Sequence, residues 1–286
     1  MEKEISCQSK TIFYRVIGNG KPVVLIHGFG EDRNVWWPPQ TPPKEGLLNS
    51  SIFEDSSLLN KFQFIIPDLP GSGNSEMIGD MSIEGMMESI KTILDEETSK
   101  ASPSGRFGGA VFIGHSMGGY ITLAFAEKYP EYLNGFGLFH SSAYPDNEEK
   151  KATRKKGIEF IQQRGAFEFL KTVIPNLFSS RSKDEMPESI DEFTRQQNNF
   201  SPSALVSYYE AMMQRPDRTI VLKNAKVPVL FIMGKYDNAI PINDVLQQCH
   251  LPGKAYIHIL ERSGHMGMME EPDKSNRAVK DFLLDI

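Results

Sequence analysis

The sequence has little cysteine and lacks a long apolar run, and both shortages restrict the classes of protein to which it could belong. Among 286 residues only Cys7 and Cys249 are cysteines, and their wide separation favours free thiols in a reducing compartment over a disulfide framework. No run of about 18 apolar residues is present to span a membrane, and residues 1–8 lack the apolar stretch of a signal peptide. We therefore expect a cytoplasmic protein without a membrane partner.

An excess of positive charge and the common metal-binding spacings are missing as well. Lys and Arg number 31 against 37 Asp and Glu, which gives a net charge of −6 and no basic footprint for nucleic acid. The six histidines include no His-Glu-x-x-His pair or similar metal-ligand spacing. We expect neither a nucleic-acid partner nor a metal ion.

Short apolar runs recur along the chain and predict the strands of a sheet. Two of them, residues 23–26 and 229–233, are continuously apolar rather than alternating, as expected for central strands that helices cover on both faces. Helical patterns lie between most of the runs, so the sequence predicts an α/β fold with a mostly parallel, doubly wound sheet. The predicted strands are residues 11–17, 23–26, 62–66, 110–113, 136–139, 227–233 and 255–260.

One stretch, residues 144–218, interrupts this alternation because it contains several helical patterns and no convincing strand. We expect an inserted helical cap (lid) there, on a core domain made of residues 1–143 and 219–286. Its aromatic and methionine side chains could roof a pocket, although packing of helix on helix is the commoner use of such residues. A proline-rich segment, residues 37–44, predicts a surface loop. The predicted helices are residues 82–97, 117–128 and 272–285 in the core, and 148–164, 166–178, 187–198 and 202–214 in the insertion.

The most informative motif is Gly-His-Ser-Met-Gly at residues 114–118, which lies between a predicted strand and a predicted helix. A serine hydroxyl is a weak nucleophile at neutral pH, so catalysis requires that it stand alone at a tight turn, within reach of a base and of backbone donors. The flanking Gly114 and Gly118 lack the side chains that would obstruct such a turn. The motif also occurs by chance in turns, but this position between strand and helix predicts Ser116 as a nucleophile.

Two later residues could complete a catalytic triad with Ser116. Asp237 and His265 each follow a predicted strand, so both are expected at the carboxyl edge of the sheet, where Ser116 also lies. Imidazole can accept and return a proton near neutral pH, and a carboxylate can orient it. Taken alone, Asp237 is typical of a turn and His265 of a helix cap, but the chain order Ser, Asp, His predicts a triad. Asp146 is the alternative acid.

At least one of the backbone N–H groups that would bind the oxyanion is expected from the amino-terminal half of the chain. His-Gly-Phe-Gly at residues 27–30 follows a buried strand, and its turn could aim the backbone N–H of Phe29 at a developing oxyanion. The backbone N–H of Met117 would supply the second donor; a plain β-turn is the alternative interpretation of residues 27–30. Residues 67–75 are rich in glycine but lack the Gly-Lys-Ser/Thr of a phosphate-binding loop, so we interpret them as a structural turn.

Taken together, these motifs resemble the α/β-hydrolase superfamily over nearly the whole chain. The segments that carry the resemblance are residues 27–30, 68–75, 114–119, 234–237 and 264–265. Within that superfamily, the helical insertion resembles the cap of esterases, perhydrolases, carbon–carbon bond hydrolases and epoxide hydrolases. Ser116 stands where epoxide hydrolases and haloalkane dehalogenases carry an aspartate, and residues 27–30 differ from the His-Gly-Gly-Pro-Gly of proline iminopeptidases, which disfavours those branches.

The resemblance implies a serine hydrolase that cleaves a small-molecule carboxylic ester through an acyl-enzyme and needs no cofactor. The alternatives are a carbon–carbon bond hydrolase, an acyltransferase with the same triad, or a slow-turnover ligand-binding receptor of the same fold. We expect a small-molecule substrate and a monomer or homodimer. The residues expected to contact the substrate are Phe29, His115, Met117, Tyr144 and Met266.

Overall fold

The computed structural model describes residues 1–36, 52–101 and 108–286, so the surface loop predicted at residues 37–44 lies outside the described residues. Within them the chain forms a single sheet of eight strands in the order β1-β2-β4-β3-β5-β6-β7-β8. The strands are β1 Glu2–Cys7, β2 Lys10–Gly18, β3 Lys21–Ile26, β4 Phe62–Pro67, β5 Ala110–His115, β6 Leu133–Phe139, β7 Val229–Gly234 and β8 Ala255–Leu260.

The sheet is mostly parallel, as predicted. Strands β4, β3, β5, β6, β7 and β8 pair in parallel, whereas β1 and β2 form an antiparallel hairpin that joins the sheet through β4. Strands β5 and β7 are buried at every position, which explains their unbroken apolar sequences. All seven predicted strands are present. Of the strands in the described ranges the prediction missed only β1, an edge strand whose exposed positions alternate with partly buried ones.

Helices cover the sheet, and further helices make up the insertion. In the core they are α1 Ser56–Leu59, α2 Ile83–Ala101, α3 Met117–Lys128, α9 Thr219–Asn224, α10 Ile242–Leu246, α11 Gly267–Glu270 and α12 Pro272–Asp285, and in the insertion α4 Glu148–Arg164, α5 Ala166–Val173, α6 Ser180–Glu185, α7 Pro187–Gln196 and α8 Pro202–Gln214. None of the described helices is both long and apolar enough for a bilayer crossing.

The predicted helices are present, but two of them end early. Helix α5 ends at Val173 and a 3₁₀ turn, Ile174–Leu177, follows it. Pro175 has no N–H to donate to the carbonyl four residues earlier, so the α-helical hydrogen-bond pattern cannot continue through it. Helix α7 likewise passes into a 3₁₀ turn, Gln197–Asn199, at its carboxyl end.

The insertion between β6 and β7 is entirely helical. Helix α4 packs against α5 and α8, and the described residues 144–218 contain no strand. Four of the nine aromatic side chains in residues 144–218 are buried, whereas Phe160 is 38% exposed. The buried side chains of the insertion belong to the same hydrophobic cluster as those of the sheet, so the two share one apolar interior.

Candidate active site

Ser116 lies alone at the sharp turn between β5 and α3. Its backbone has φ 50° and ψ −115°, a left-handed conformation that residues other than glycine rarely adopt. Its N–H donates to the carbonyl oxygen of Phe139 at 2.9 Å, and its own carbonyl oxygen accepts from the Gly119 N–H at 2.9 Å and from Ser141 Oγ at 2.7 Å. These bonds hold the strained turn while the Ser116 side chain stays partly exposed.

The two glycines of the motif allow the backbones at this turn to touch. A Cβ on Gly114 would lie 2.2 Å from the carbonyl carbon of Gly118, and a Cβ on Gly118 would lie 2.3 Å from the carbonyl oxygen of Ile26. Both distances are far inside van der Waals contact, so no side chain fits at either position. The turn therefore lies directly against the end of β3.

The predicted acid and base are hydrogen-bonded to each other. Asp237 Oδ2 accepts from His265 Nδ1 at 2.8 Å, and both side chains are buried. Asp237 Oδ1 accepts the backbone N–H groups of Ala239 and Ile240 at 2.9 and 2.8 Å. The turn role that the sequence also allowed for Asp237 is thus carried by Oδ1, which leaves Oδ2 for the histidine.

The Asp237 carboxyl is held as an anion. Burial alone would raise its pKa, but the charge of His265 and hydrogen bonds from two imidazoles outweigh burial and lower the pKa well below its usual range. Because the carboxylate accepts from His265 Nδ1, the lone pair of the neutral form of His265 lies on Nε2. The predicted base would therefore present its free nitrogen away from Asp237.

The loop that carries His265 lies against the turn at Ser116. The carbonyl oxygen of His265 accepts from His115 Nε2 at 3.0 Å, and the centroids of these two rings are 4.9 Å apart. Within the described residues, no hydrogen bond joins Ser116 Oγ to His265. Catalytic hydrogen bonds are often long or poorly aligned without substrate and shorten when it binds.

A second histidine, His140, reaches the same carboxylate, and sequence reasoning assigned it no role in the site. It directly follows β6, is fully buried, and donates from Nδ1 to Asp237 Oδ2 at 3.0 Å. Burial lowers the pKa of His140, although its bond to Asp237 acts in the opposite direction. The sequence could have indicated His140 by its position, because it follows the carboxyl end of a strand, as Ser116, Asp237 and His265 do.

A buried ion pair behind Ser116 was also missed. His115 Nδ1 donates to Glu31 Oε2 at 2.9 Å, and the same oxygen accepts the Gly28 N–H at 2.7 Å. Burial alone would lower the pKa of His115, but the charge and hydrogen bond of Glu31 outweigh it and raise the pKa. Burial alone would raise the pKa of Glu31, yet the charge of His115 outweighs it and lowers the pKa. His115 is thus favoured as an imidazolium that donates from both nitrogens.

The two predicted oxyanion donors belong to segments that meet at Ser116. A Cβ on Gly28 would lie 3.0 Å from Ser116 Cβ, so the loop that carries Phe29 passes directly beside the serine. Met117 is the first residue of α3, where a backbone N–H has no partner within the helix. The backbone segments that carry both predicted donors therefore lie beside Ser116.

The side chain of Phe29 joins this loop to the inserted helices. Its ring stacks on Tyr209 with centroids 4.4 Å apart and planes inclined by 6°, and it meets Phe169 and Tyr208 edge to face at 6.4 and 6.3 Å. Such pairs add to the free energy gained by burial of the rings. The insertion thus packs against the loop that carries Phe29.

The other expected substrate contacts occupy different surroundings. The side chains of Met117 and Met266 are fully buried, and both ring nitrogens of His115 are engaged within the protein. Tyr144 lines a cavity of about 240 Å³ together with Arg215 and other residues.

The alternative acid, Asp146, is not joined to His265. Its buried carboxylate binds Arg154 Nε at 2.5 Å and Arg215 Nη1 at 2.9 Å. Although burial alone would raise its pKa, these two arginines lower it. Asp146 therefore belongs to a charge cluster of the insertion, and the hydrogen bonds favour Asp237 as the acid.

Three side chains have the composition of a metal site. Potential ligand atoms of His140, Asp237 and His265 lie within 4.8 Å of one another. The hydrogen bonds from both imidazoles to Asp237 Oδ2 account for this closeness without an ion.

Comparison with known proteins points to the same architecture. The model of the alpha/beta hydrolase family matches residues 23–278. A 2-hydroxy-6-oxo-6-phenylhexa-2,4-dienoate hydrolase of Comamonas testosteroni is 23% identical over an alignment of 313 residues that covers 99% of this chain and 93% of that protein.

Solved structures agree with the family match. A thermophilic esterase of Thermogutta terrifontis superposes with a TM-score of 0.85 and 26% identity, and the superposition covers 100% of this chain and 98% of that one. An enol-lactonase of Burkholderia xenovorans LB400 superposes with a TM-score of 0.82 and 20% identity, over 99% and 100% of the two chains. At that identity the likeness to the lactonase concerns the fold alone.

Proposed function

Because the chain belongs to the alpha/beta hydrolase family, we propose that it is a serine hydrolase that cleaves small-molecule carboxylic esters, with Ser116 as nucleophile, His265 as base and Asp237 as the acid that orients the base. The observation that carries the proposal is the strained turn at Ser116, with a hydrogen-bonded Asp237–His265 pair at the same edge of the sheet. The likeness to an esterase at 26% identity supports an ester as the bond that is cleaved.

The proposed reaction runs in two steps. Ser116 Oγ attacks the acyl carbonyl carbon and passes its proton to His265 Nε2, while the backbone N–H groups of Phe29 and Met117 bind the oxyanion. When the carbon–oxygen bond to the alcohol breaks, the alcohol leaves with the proton from His265. Water then attacks the ester formed on Ser116, again through His265, and releases the carboxylic acid. This two-step reaction needs no metal ion and no cofactor.

We further propose that residues 144–218 act as the cap of this site. The stack of Phe29 on Tyr209 supports a cap whose aromatic side chains face the acyl group. Phe29 and Tyr144 remain the proposed substrate contacts, whereas the buried side chains of Met117 and Met266 would support the pocket from beneath. His115 would serve the site through its ion pair with Glu31 rather than by contact with substrate.

The first test is hydrolysis of p-nitrophenyl esters of increasing acyl length by the unmodified protein and by Ser116→Ala. Loss of the nucleophile should lower kcat by about four to six orders of magnitude. Ser99→Ala is the matched control, because Ser99 is an exposed serine on α2 whose hydroxyl bonds only a carbonyl of its own helix, and this variant should keep full activity. Equal rates in the Ser116→Ala variant would refute the proposal.

A second candidate is hydrolysis of a carbon–carbon bond beside a carbonyl group. Its support is the similarity to the hydroxy-oxo-phenylhexadienoate hydrolase, which extends over 99% of the chain. Rapid cleavage of such a dienoate, lost in Ser116→Ala, with little activity on any ester of the series would favour this candidate. The reverse preference would favour the ester.

A further inference from the structure

We propose that His140 is a positioning residue of the same site, which holds Asp237 in the orientation that aligns His265 as the base. The inference rests on the proposed function, since it assigns a residue to the service of the proposed triad. His140 comes from β6, a strand that supplies none of the three triad residues. Its contacts connect the loops that follow β7 and β8.

The first observation is the set of hydrogen bonds that the Asp237 carboxylate accepts. Oδ1 accepts two backbone N–H groups, and Oδ2 accepts both His265 Nδ1 at 2.8 Å and His140 Nδ1 at 3.0 Å. Ile240 and the two imidazole rings are buried, and Ala239 is partly buried. The His140 donor therefore limits rotation of the carboxylate and sets the oxygen that faces His265.

The other ring nitrogen of His140 binds the loop of the base. His140 Nε2 accepts the backbone N–H of Gly267 at 3.2 Å, two residues after His265. Because Nε2 accepts a hydrogen bond, the ring proton lies on Nδ1, where it is donated to Asp237. A neutral imidazole in this one tautomer satisfies both contacts, so the ring joins the loop of the acid to the loop of the base.

The second observation is the backbone arrangement that places this ring. His140 has φ 49°, a left-handed conformation that residues other than glycine rarely adopt. A Cβ on Gly267 would lie 2.4 Å from His140 Nε2, and a Cβ on Gly234 would lie 2.9 Å from His140 Cε1. Gly234 at the end of β7 and Gly267 at the start of α11 thus leave the space that the imidazole fills.

These contacts predict a chemical effect as well as a structural one. The N–H of His140 shares the negative charge of Asp237, so its loss would leave more of that charge to stabilise the imidazolium of His265. The acid limb of the pH–rate profile should then move to higher pH, and the less constrained carboxylate should lower kcat. KM should change little, because neither His140 nor Asp237 is proposed to touch the substrate.

Two substitutions distinguish the roles of the two ring nitrogens of His140. His140→Asn places an amide near the position of Nδ1 and tolerates positive φ, so it can still donate to Asp237. His140→Gln places its amide near the position of Nε2 instead. We expect His140→Asn to keep kcat within about threefold. We expect His140→Gln to lose about tenfold to a hundredfold in kcat, with KM within about threefold and the acid limb about 0.5–1 pH unit higher.

Other charged groups near the triad are common to all variants. His115 and Glu31 lie on one side of His265, and Glu270 Oε1 accepts the N–H groups of Gly264 and Met266 on its loop. Strain from the positive φ, which Gln tolerates less well than Asn, would lower kcat without moving the acid limb. A lower kcat together with a displaced acid limb in His140→Gln therefore reports the hydrogen bond to Asp237. Equal losses in both variants, or unchanged kcat and pH profile in both, would overturn the proposal.

One readout does not depend on turnover. The proton between His265 Nδ1 and Asp237 should give a low-field proton NMR signal at the same position in the unmodified protein and in His140→Asn, and at a different chemical shift in His140→Gln. An identical signal in all three proteins would contradict the positioning role even if no substrate were known. If the NMR result agrees while Ser116→Ala retains activity, the proposed function fails and the positioning of Asp237 stands.

Discussion

At the scale of single residues, His115 departs furthest from its sequence-based interpretation. Its place beside the nucleophile suggested contact with substrate, yet its ring is fully buried and bonded to Glu31 and to the carbonyl oxygen of His265. Glu31 in turn accepts the Gly28 N–H, which belongs to the loop of the proposed oxyanion donor. The ion pair therefore links that loop, the turn at Ser116 and the loop of the base.

The ion pair predicts a pH-dependent contribution to stability. The raised pKa of His115 gives stability that is complete below about pH 6.5 and is lost as the pH rises through the folded-state value. The lowered pKa of Glu31 gives stability that is complete above about pH 4.3 and is lost as the pH falls through the folded-state value. Glu31→Gln should thus lower the free energy of unfolding by about 3 kcal/mol near pH 5, with a smaller effect above pH 6.5 and again below pH 4.3.

Urea denaturation of the unmodified protein and of Glu31→Gln between pH 4 and pH 9 measures this difference in the free energy of unfolding. Glu192→Gln is the matched control, since Glu192 is a half-exposed carboxylate on α7 paired with Arg195 at 2.8 Å and should change stability by less than about 1 kcal/mol. A difference for Glu31→Gln that stays constant from pH 4 to pH 9 would show that the pair does not titrate as described.

At the scale of elements, helix α8 anchors the insertion to the core through two adjacent tyrosines. Tyr209 stacks on Phe29, and Tyr208 is fully buried with its hydroxyl 2.7 Å from Ser72 Oγ and 2.7 Å from the carbonyl oxygen of Pro70. The segment that superficially resembled a phosphate-binding loop is therefore a docking turn for α8. Sequence reasoning interpreted it as structural and could not specify the helix that it binds.

Removal of the Tyr208 hydroxyl should loosen this junction. Tyr208→Phe leaves the buried Ser72 hydroxyl and the Pro70 carbonyl without that partner, which should lower the free energy of unfolding by about 1–3 kcal/mol. Tyr209→Phe is the control, because it keeps the ring that stacks on Phe29, and its effect should be within about 0.5 kcal/mol. Urea denaturation of the two variants at one pH decides the matter; equal effects would mean that the hydroxyl of Tyr208 does not anchor α8.

At the scale of the whole molecule, the parallel α/β architecture was predictable because its central strands carry an unmistakable apolar pattern. Strands β5 and β7 are buried on both faces, and the turn at Ser116 needs glycines that appear in the sequence as a motif. Strand β1 escaped prediction because it lies at an edge, where charged residues such as Glu2 and Lys3 occupy partly solvated positions. Its pairing with β2 depends on contacts that local sequence does not record.

The candidate site was predictable to the extent that each residue follows a strand of known direction. Ser116, Asp237 and His265 could be placed at one edge of the sheet, since parallel strands end together. Glu31 and His140 could not be assigned, because their roles depend on the partners that burial brings to each ring or carboxylate. Hydrogen-bond satisfaction in the interior is a property of the packed fold rather than of any short motif.

The central claim, that Ser116 is acylated during turnover, can be tested by mass spectrometry of protein quenched in acid while it hydrolyses p-nitrophenyl acetate. The account predicts an added acetyl group on the peptide that contains Ser116, absent in Ser116→Ala and retained in the Ser99→Ala control. Continued hydrolysis with no acyl group on Ser116, or with the acyl group on another residue, would contradict it.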